Sequence, residues 1–418
     1  SKPFPGRAYA VNPKAKEVLG IESYPSVTLI PGKVDLAVIC TPSKTVVQIM
    51  QECAQKKVKA VIITSAGFAE LGENGKNLQE QVLSIAKVAG ITVLGPNCLG
   101  IIRPPVCLNA SFALTAPQPG QVAFVSQSGA LADSIIDWAV ENRYCFSLVA
   151  SLGNSADVDA SDFLKWCSQD ESTKAIALYL EGIKDGRRFM EIARKVSRTK
   201  PIVLLKGGRS KEGVKAAGSH TGSLVGNFNV WQAAAKQSGI VMAETLQELF
   251  EMAEALAEQP RTSKNAVAIV TNGGGAGVLT ADYCQKTGLN VVELKEETLK
   301  RLDESNAMHP AYSRGNPLDL IGDARPERYK VALDVVLSED YIGSVIVIQT
   351  LQTMTDTKAD AQIVIDAKKR HPHKPVVCVF MGGKFSKAGI ELLRENNVSD
   401  FNDPRPAVRV MAALCGTL

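Results

Sequence analysis

Hydrophobic residues make up 45% and charged residues 22% of this 418-residue chain, which is the balance of an ordinary globular protein with about two to four domains. The net charge of +4 is small for this length and gives no reason to expect nucleic acid as a partner. No apolar run reaches the roughly 20 residues that span a bilayer, and the first residues do not form a signal peptide, so we expect a cytoplasmic protein. Nine cysteines without a CxxC pair predict free thiols and no metal site.

Short apolar, β-branched runs alternate with longer amphipathic stretches along the whole chain. Runs that are apolar on both faces are typical of parallel sheets covered by helices, so the pattern predicts doubly wound α/β domains. The runs fall into three groups, at 34–40, 60–64 and 91–95, then at 121–126, 146–152, 175–180 and 201–206, then at 266–271, 344–349 and 375–380.

Two breaks divide these groups, a proline-rich stretch at 113–121 and a proline- and charge-bearing stretch at 258–265. They predict three domains, at 1–115, 119–260 and 264–418. Residues 7–11 have the pattern of the second strand of a Rossmann-like domain. We expect the strand and the glycine-rich turn that open such a domain to precede this sequence.

Ligands of doubly wound sheets bind where strands end, so the loops after the strands are the candidate sites. The second group opens with a strand followed by Ser126, Gln127, Ser128 and Gly129 and then by a helical stretch. Small residues at such a turn leave the positive N-terminal end of the helix open to an anion, which predicts phosphate binding. The alternative is an ordinary N-cap by Ser126 or Ser128.

A second turn of this kind follows the first strand of the third group. Close approach of a phosphate to the backbone is one interpretation of its glycines, and simple turn geometry is the other. The spacing departs from the GxGxxG of dinucleotide sites. We expect a phosphoryl group held between the two helix starts. The residues of the second turn are Gly273, Gly274, Gly275, Ala276 and Gly277.

His220 stands in AAGSHTGS, among small uncharged residues. It is a structural or surface loop histidine, or a base, a metal ligand or a phosphoryl acceptor. No nearby cysteine, histidine or paired carboxylate favours a metal. A nucleophilic imidazole needs a carboxylate to orient it, and Glu181 ends a strand of the same predicted sheet. Glu181 is otherwise a surface loop residue.

Taken together, the motifs resemble one family, the ADP-forming acetyl-CoA synthetases of the NDP-forming acyl-CoA synthetase superfamily, which also contains succinyl-CoA synthetase. The resemblance covers nearly the whole chain and corresponds to an α subunit or α segment. The matching motifs are VNPK, TPSK, SAGFAELG, GPNCLGI, AFVSQSGAL, SLGNSADVD, YLEGIKDGRRF, KGGRS, GSHTGSL, NGGGAG and NPLDLIGDA.

The resemblance implies a CoA-binding Rossmann-like domain followed by two flavodoxin-like domains, with an ATP-grasp domain on a partner β subunit or another segment, in an α2β2 assembly. It implies that phosphate cleaves acetyl-CoA to acetyl phosphate, that His220 accepts the phosphoryl group with help from Glu181, and that ADP receives it with Mg²⁺ on the partner. The CoA-binding candidates that it implies are Asn12, Pro13, Lys14, Thr41, Pro42, Lys44, Ser65, Gly67 and Asn97. A catalytically silent CoA-binding regulatory homologue is the alternative, and an NAD-dependent dehydrogenase is disfavoured.

Overall fold

The computed structural model describes residues 4–142, 144–215 and 227–418. The chain divides into two compact units, Ser1–Leu249 and Phe250–Leu418. The first unit contains the first predicted domain range and nearly all of the second, and the division into three domains stays a prediction. Within the described ranges, no helix is long and apolar enough to cross a membrane.

The first unit begins with two small sheets. The first joins its strands in the order β1-β3-β2, and the second is a parallel sheet in the order β4-β5-β6. Helices α1 and α2 connect the strands of the parallel sheet, as successive βαβ units require. The elements are β1 (Ala10–Val11), β2 (Glu17–Val18), β3 (Ile21–Tyr24), β4 (Leu36–Ile39), α1 (Ser43–Lys56), β5 (Ala60–Ile63), α2 (Glu73–Ala89) and β6 (Thr92–Leu94).

The same unit contains a seven-stranded sheet in the order β13-β12-β11-β9-β10-β7-β8. Its five parallel strands follow the flavodoxin-like order 2-1-3-4-5, so the order reverses between β9 and β11. The elements are β7 (Gly100–Arg103), β8 (Leu108–Ser111), β9 (Pro119–Ser126), α3 (Gly129–Glu141), β10 (Phe146–Ser151), α4 (Ala160–Gln169), β11 (Ala175–Leu180), α5 (Gly186–Val196), β12 (Ile202–Lys206), α6 (Phe228–Gln237) and β13 (Ile240–Met242). The next helix, α7 (Leu246–Glu258), begins in the first unit and ends in the second.

The second unit repeats this order in a parallel sheet, β15-β14-β17-β18-β19, with β16 also paired to β14. Its order reverses between β14 and β17. The elements are β14 (Ala266–Thr271), α8 (Gly274–Thr287), β15 (Asn290–Val291), α9 (Glu296–Glu304), β16 (Leu318–Asp319), α10 (Pro326–Ser338), β17 (Ser344–Thr350), α11 (Thr357–Arg370), β18 (Val376–Met381), α12 (Lys387–Glu395), β19 (Asp400–Phe401) and α13 (Pro404–Leu414).

The local sequence explains why these elements form. All six residues of β10 and nearly all of β11 and β18 are buried, because helices cover both faces of each parallel sheet. Asp159 starts α4 with a capping box in which Asp162 returns the hydrogen bond, and the Arg188 guanidinium forms ion pairs with both carboxylates. Asp185 caps the amphipathic α5.

The predicted fold class is confirmed, and each of the ten apolar runs contains a strand. Several features differ from the prediction, and the short strands β2, β3, β13, β16 and β19 lie outside the predicted runs. The strand predicted at 7–11 comprises only Ala10–Val11. Strands β7 and β8 were missed, and they extend the seven-stranded sheet from within the range predicted for the first domain. Both are four-residue antiparallel strands, too short to show a period in the sequence.

Candidate active site

A cavity of about 340 Å³ in the first unit lies between the loop after β6 and the start of α3. It brings Asn97 together with Gln127, Ser128 and Gly129, so it joins a residue predicted to bind CoA to three predicted to bind phosphate. Its remaining lining residues are Thr64, Cys98, Leu99, Phe112, Ala130, Asp133, Gly153 and Asn154.

The turn between β9 and α3 is built by its serines. The Ser126 hydroxyl donates to the carbonyl of Ser128 (2.8 Å) and accepts from its N–H (3.1 Å), and Ser126 is fully buried. The Ser128 hydroxyl accepts from the N–H of Leu131 and caps α3. The N-cap alternative therefore describes Ser128. The hydrogen bonds of Ser126 to the backbone of Ser128 and the N-cap by Ser128 together shape the turn that opens onto the cavity.

Gln127 fixes the backbone that carries Glu181. Its side-chain oxygen accepts from the N–H groups of Glu181 and Gly182, and its Nε2 donates to the carbonyl of Gly182 (2.8 Å). These three hydrogen bonds join the loop after β9 to the loop after β11, where the strand order reverses. We call such a side chain an amide clamp. Direct phosphate contact by this side chain stays a prediction.

Lys206 holds the same peptide from the other side. Its ammonium is buried at the end of β12 and donates to the carbonyls of Glu181 (2.8 Å) and Gly207. Burial lowers the pKa of Lys206 to about 8, although the charge of Glu181 acts in the opposite direction. The Tyr179 hydroxyl lies 3.4 Å from Glu181 Oε1. Glu181 is itself 6% exposed, so it is a positioned, buried carboxylate and not a surface loop residue.

Most of the predicted CoA-binding residues meet at the carboxyl edge of the β4-β5-β6 sheet. The Ser65 hydroxyl donates to the carbonyl of Thr41, and the N–H of Asn97 donates to the carbonyl of Ser65 (3.0 Å). Gly67 has a φ of +107°, and a Cβ there would lie 2.6 Å from the hydroxyl of Ser43. The three loops after these strands therefore form one surface, which also carries Pro42, the N-cap of α1, and Lys44 in the first turn of that helix.

Asn12, Pro13 and Lys14 form a separate turn. The Asn12 side-chain oxygen accepts from the N–H groups of Lys14 and Ala15, and its own N–H donates to Tyr24. These hydrogen bonds do not join Asn12 to the loops after β4 and β5. The assignment of this turn to CoA stays a prediction.

The second unit contains a turn of the same design between β14 and α8. The Thr271 hydroxyl bonds the N–H and the carbonyl of Gly273, as Ser126 does with Ser128. Asn272 bridges to the end of β17, because its Nδ2 donates to the carbonyl of Thr350 (2.9 Å) and its oxygen accepts from the N–H of Thr350 (2.7 Å). Each flavodoxin-like sheet therefore has an amide side chain that clamps its reversal point.

The glycines that follow Asn272 serve different purposes. Gly277 is buried, and a Cβ there would lie 3.1–3.2 Å from Pro317 and Thr271, so packing accounts for it. Gly274 and Gly275 are exposed, and a Cβ on Gly275 would meet no atom within 4 Å. A Cβ on Gly274 would lie 2.8 Å from a carboxylate oxygen of Asp319. This carboxylate complements the positive end of α8 and would repel an anion at the same place.

His220 lies outside the described residues, and its role as phosphoryl acceptor stays a prediction. Among the residues that the structure describes, no group of three or more histidine, cysteine, aspartate or glutamate side chains is placed to hold a metal ion.

Family models match nearly the whole chain. A CoA binding domain matches residues 5–104, a succinyl-CoA ligase like flavodoxin domain matches 119–256, and a ligase-CoA domain matches 267–413. The α subunit of ADP-forming acetate–CoA ligase II of Pyrococcus furiosus is 42% identical, over 98% of this chain and 89% of its own length. The chain belongs to the ADP-forming acetate–CoA ligase family.

Two further relatives extend the comparison. ADP-forming acetate–CoA ligase I of Archaeoglobus fulgidus is 40% identical over 98% of this chain, which spans 58% of the length of that relative. The dinucleotide-forming acetyl-coenzyme A synthetase 1 of Candidatus Korarchaeum cryptofilum, solved with phosphate and ADP, is 34% identical with a TM-score of 0.93 over 99% of this chain and 89% of its own. The family resemblance that the motifs indicated is confirmed.

Several site residues of this acetate–CoA ligase family member were missed from the sequence. Asn154 and Lys206 lie in motifs that carried the resemblance, SLGNSADVD and KGGRS, and Asp319 lies in NPLDLIGDA, yet none was given a role. Phe112 and Asp133 also line the cavity, but neither lies in a loop that follows a parallel strand, where the sequence analysis placed the candidate sites. Only their places in the matching motifs could have directed attention to Asn154, Lys206 and Asp319.

Proposed function

We propose that this chain is the CoA-binding and phosphoryl-carrying part of an enzyme that converts acetyl-CoA, phosphate and ADP to acetate, CoA and ATP. The observation that carries the proposal is the cavity that joins Asn97 to the start of α3. A thioester delivered along the CoA-binding loops would meet a helix N-terminus there, which suits an attacking phosphate. Membership of a family of ligases favours this enzyme over the silent regulatory homologue.

The first step forms acetyl phosphate. A phosphate oxygen attacks the thioester carbonyl, the C–S bond breaks, and CoA leaves as a thiolate that takes up a proton. In this proposal the N–H groups at the start of α3 stabilise the phosphate, and the amide of Asn97, which lines the same cavity, donates a hydrogen bond to the carbonyl oxygen as negative charge develops on it.

The second step moves the phosphoryl group to His220. One ring nitrogen attacks phosphorus, the P–O bond to the acetyl group breaks, and acetate leaves. Glu181 accepts a hydrogen bond from the other ring nitrogen and stabilises the positive charge on the ring. Gln127 and Lys206 hold the backbone of Glu181, and the Tyr179 hydroxyl lies 3.4 Å from its carboxylate, so this carboxylate has little freedom left to lose when it meets the imidazole.

The last step needs a partner. We assign the ATP-grasp part, which binds ADP with Mg²⁺, to a β subunit or to a further segment, in a cytoplasmic α2β2 assembly. The relatives named as α subunits support a separate partner, whereas the A. fulgidus ligase I, which is named without a subunit, is longer than this chain and supports a further segment.

Incubation with acetyl-CoA, radiolabelled phosphate and Mg²⁺ tests the proposal. We expect an acid-labile, base-stable phosphoryl group on the chain that chases into ATP when ADP and the ATP-grasp partner are added. His220→Ala is expected to abolish the label, and His309→Ala serves as the matched control. Undiminished labelling of the His220 variant contradicts the assignment, and CoA binding without any transfer in the complete complex favours the regulatory homologue.

A further inference from the structure

Asn154 connects the CoA-binding loops to the cavity through its side chain. It follows β10, and its Nδ2 donates to Glu70 Oε2 (2.6 Å) and to Gln79 Oε1 (3.1 Å). Its Oδ1 accepts from Nδ2 of Asn97 (3.4 Å). A single amide therefore contacts three side chains of the Rossmann-like part of the chain, and one of them lines the cavity.

The contact with Glu70 reaches the loop that is assigned to CoA. The other oxygen of Glu70 accepts from the N–H groups of Gly67 and Phe68 and closes the loop after β5. Burial raises the pKa of Glu70, but the hydrogen bonds from Asn154, Gly67 and Phe68 outweigh it and hold the pKa below its usual value. Glu70 is thus a charged acceptor that both orders the loop and binds Asn154.

The backbone around Asn154 is fixed to the loop of Asn97. The N–H of Asn154 donates to the carbonyl of Pro96 (2.9 Å), and its carbonyl accepts from the ammonium of Lys184 (3.3 Å). The backbone hydrogen bond to Pro96 keeps the loop of Asn154 beside the loop of Asn97, so the side-chain contact between the two asparagines joins loops that already touch.

We propose that Asn154 is a positioning residue that couples the CoA-binding loop, through Glu70, to the amide of Asn97 at the acyl end of the cavity. It sets CoA affinity and the orientation of Asn97 together. The inference rests on the proposed function, because it takes the loop of Ser65 and Gly67 as the CoA site.

Exchange of the polar partners tests the coupling. Asn154→Asp places a carboxylate against the carboxylate of Glu70, and Glu70→Gln retains an oxygen for the N–H groups of Gly67 and Phe68. In the double variant the new amide at position 70 donates to the new carboxylate at 154, so the bridge is restored with its polarity reversed. Asn109→Asp, in the exposed part of β8, is the matched control for the asparagine change.

The variants are compared in the full-length protein with its ATP-grasp partner. We measure the Kd of CoA by calorimetry and the KM and kcat for acetyl-CoA. Asn154→Asp is expected to raise both Kd and KM about tenfold and to lower kcat, which is the effect of one lost charge-assisted hydrogen bond. Glu70→Gln also breaks the bridge, because its Nε2 then faces the Nδ2 donor of Asn154, so it is expected to raise Kd and KM about threefold to tenfold. The double variant is expected to return to within about threefold of the parent.

The outcomes separate the two proposals. Parent-like constants in Asn154→Asp, or no recovery in the double variant, overturn the coupling. A loss of kcat with unchanged Kd also overturns it, because Asn154 would then act on the cavity alone. If the parent binds CoA but transfers no phosphoryl group, the proposed function fails while the Kd series still decides the coupling. If the parent binds no CoA, both fail.

Discussion

Replacement of Gly153 by alanine is expected to disturb the cavity through a single methyl group. Gly153 has a φ of +54°, and a Cβ there would lie 2.2 Å from the carbonyl oxygen of Pro96 and 2.4 Å from that of Asn97. The left-handed backbone costs an alanine about 1–2 kcal/mol. Forcing the loop of Asn97 away adds about 1–3 kcal/mol, the usual range for overpacking.

Gly90→Ala separates the two costs within the same unit. Gly90 ends α2 with a φ of +66°, and a Cβ there would meet no atom within 4 Å. We therefore expect Gly90→Ala to lose only the backbone contribution, about 1–2 kcal/mol, and Gly153→Ala to lose about 2–5 kcal/mol in total.

Urea denaturation followed by circular dichroism measures the free energy of unfolding, and the KM for acetyl-CoA reports on the displaced loop. Equal losses of stability in the two variants, with a parent-like KM for Gly153→Ala, would refute the contact between Gly153 and the loop of Asn97.

Two further predictions concern buried charges. Burial raises the pKa of Asp360 from 3.8 to about 7, although Gln349 donates to it, so the folded state binds the extra proton between these values and loses stability as the pH rises through them. The loss in the free energy of unfolding is about 1–4 kcal/mol between pH 4 and pH 7, and Asp360→Asn is expected to remove it. Asp366→Asn, on the same helix, is the control and is expected to keep it. A parent-like pH dependence of the free energy of unfolding in Asp360→Asn counts against the reasoning. Lys206→Met is expected to slow phosphoryl labelling about tenfold with little change in the KM for acetyl-CoA, because Lys206 contacts the backbone of Glu181 and does not line the cavity. The same change at Lys200, whose ammonium also binds backbone carbonyls but at the opposite end of β12, controls for the loss of charge, and similar rates in the two variants contradict a role for Lys206.

The regular parts of the fold could be predicted because the longer parallel strands are apolar on both faces. β11, with AIALYL almost wholly buried, stands out from its surroundings in any window of the sequence. β7 and β8 could not be predicted, because they form a short antiparallel pair without a continuous apolar run, and β7 joins the sheet through β10, which follows more than 30 residues later.

A position at a strand end could be predicted from the pattern of strands, and Glu181 follows directly after β11 as expected. Asn97 was named from the family resemblance alone, and it lines the cavity. Side chains that act through distant partners were not predicted, because Asn154 contacts residues 75 and 84 positions away in the chain. Gln127 was assigned to phosphate because its neighbours are small, whereas in the structure its side-chain amide forms hydrogen bonds with the backbone of Gly182, 55 positions away.

The matching turns at Ser126–Ser128 and Thr271–Gly273 give this chain an internal reference. Gln127 and Asn272 do the same work in two sheets of the same strand order, and they differ by one methylene. A substitution in one clamp can therefore be compared with the equivalent substitution in the other, inside one molecule and under one set of conditions. Such paired substitutions would separate the effects that come from the shared strand order from those that are specific to one domain.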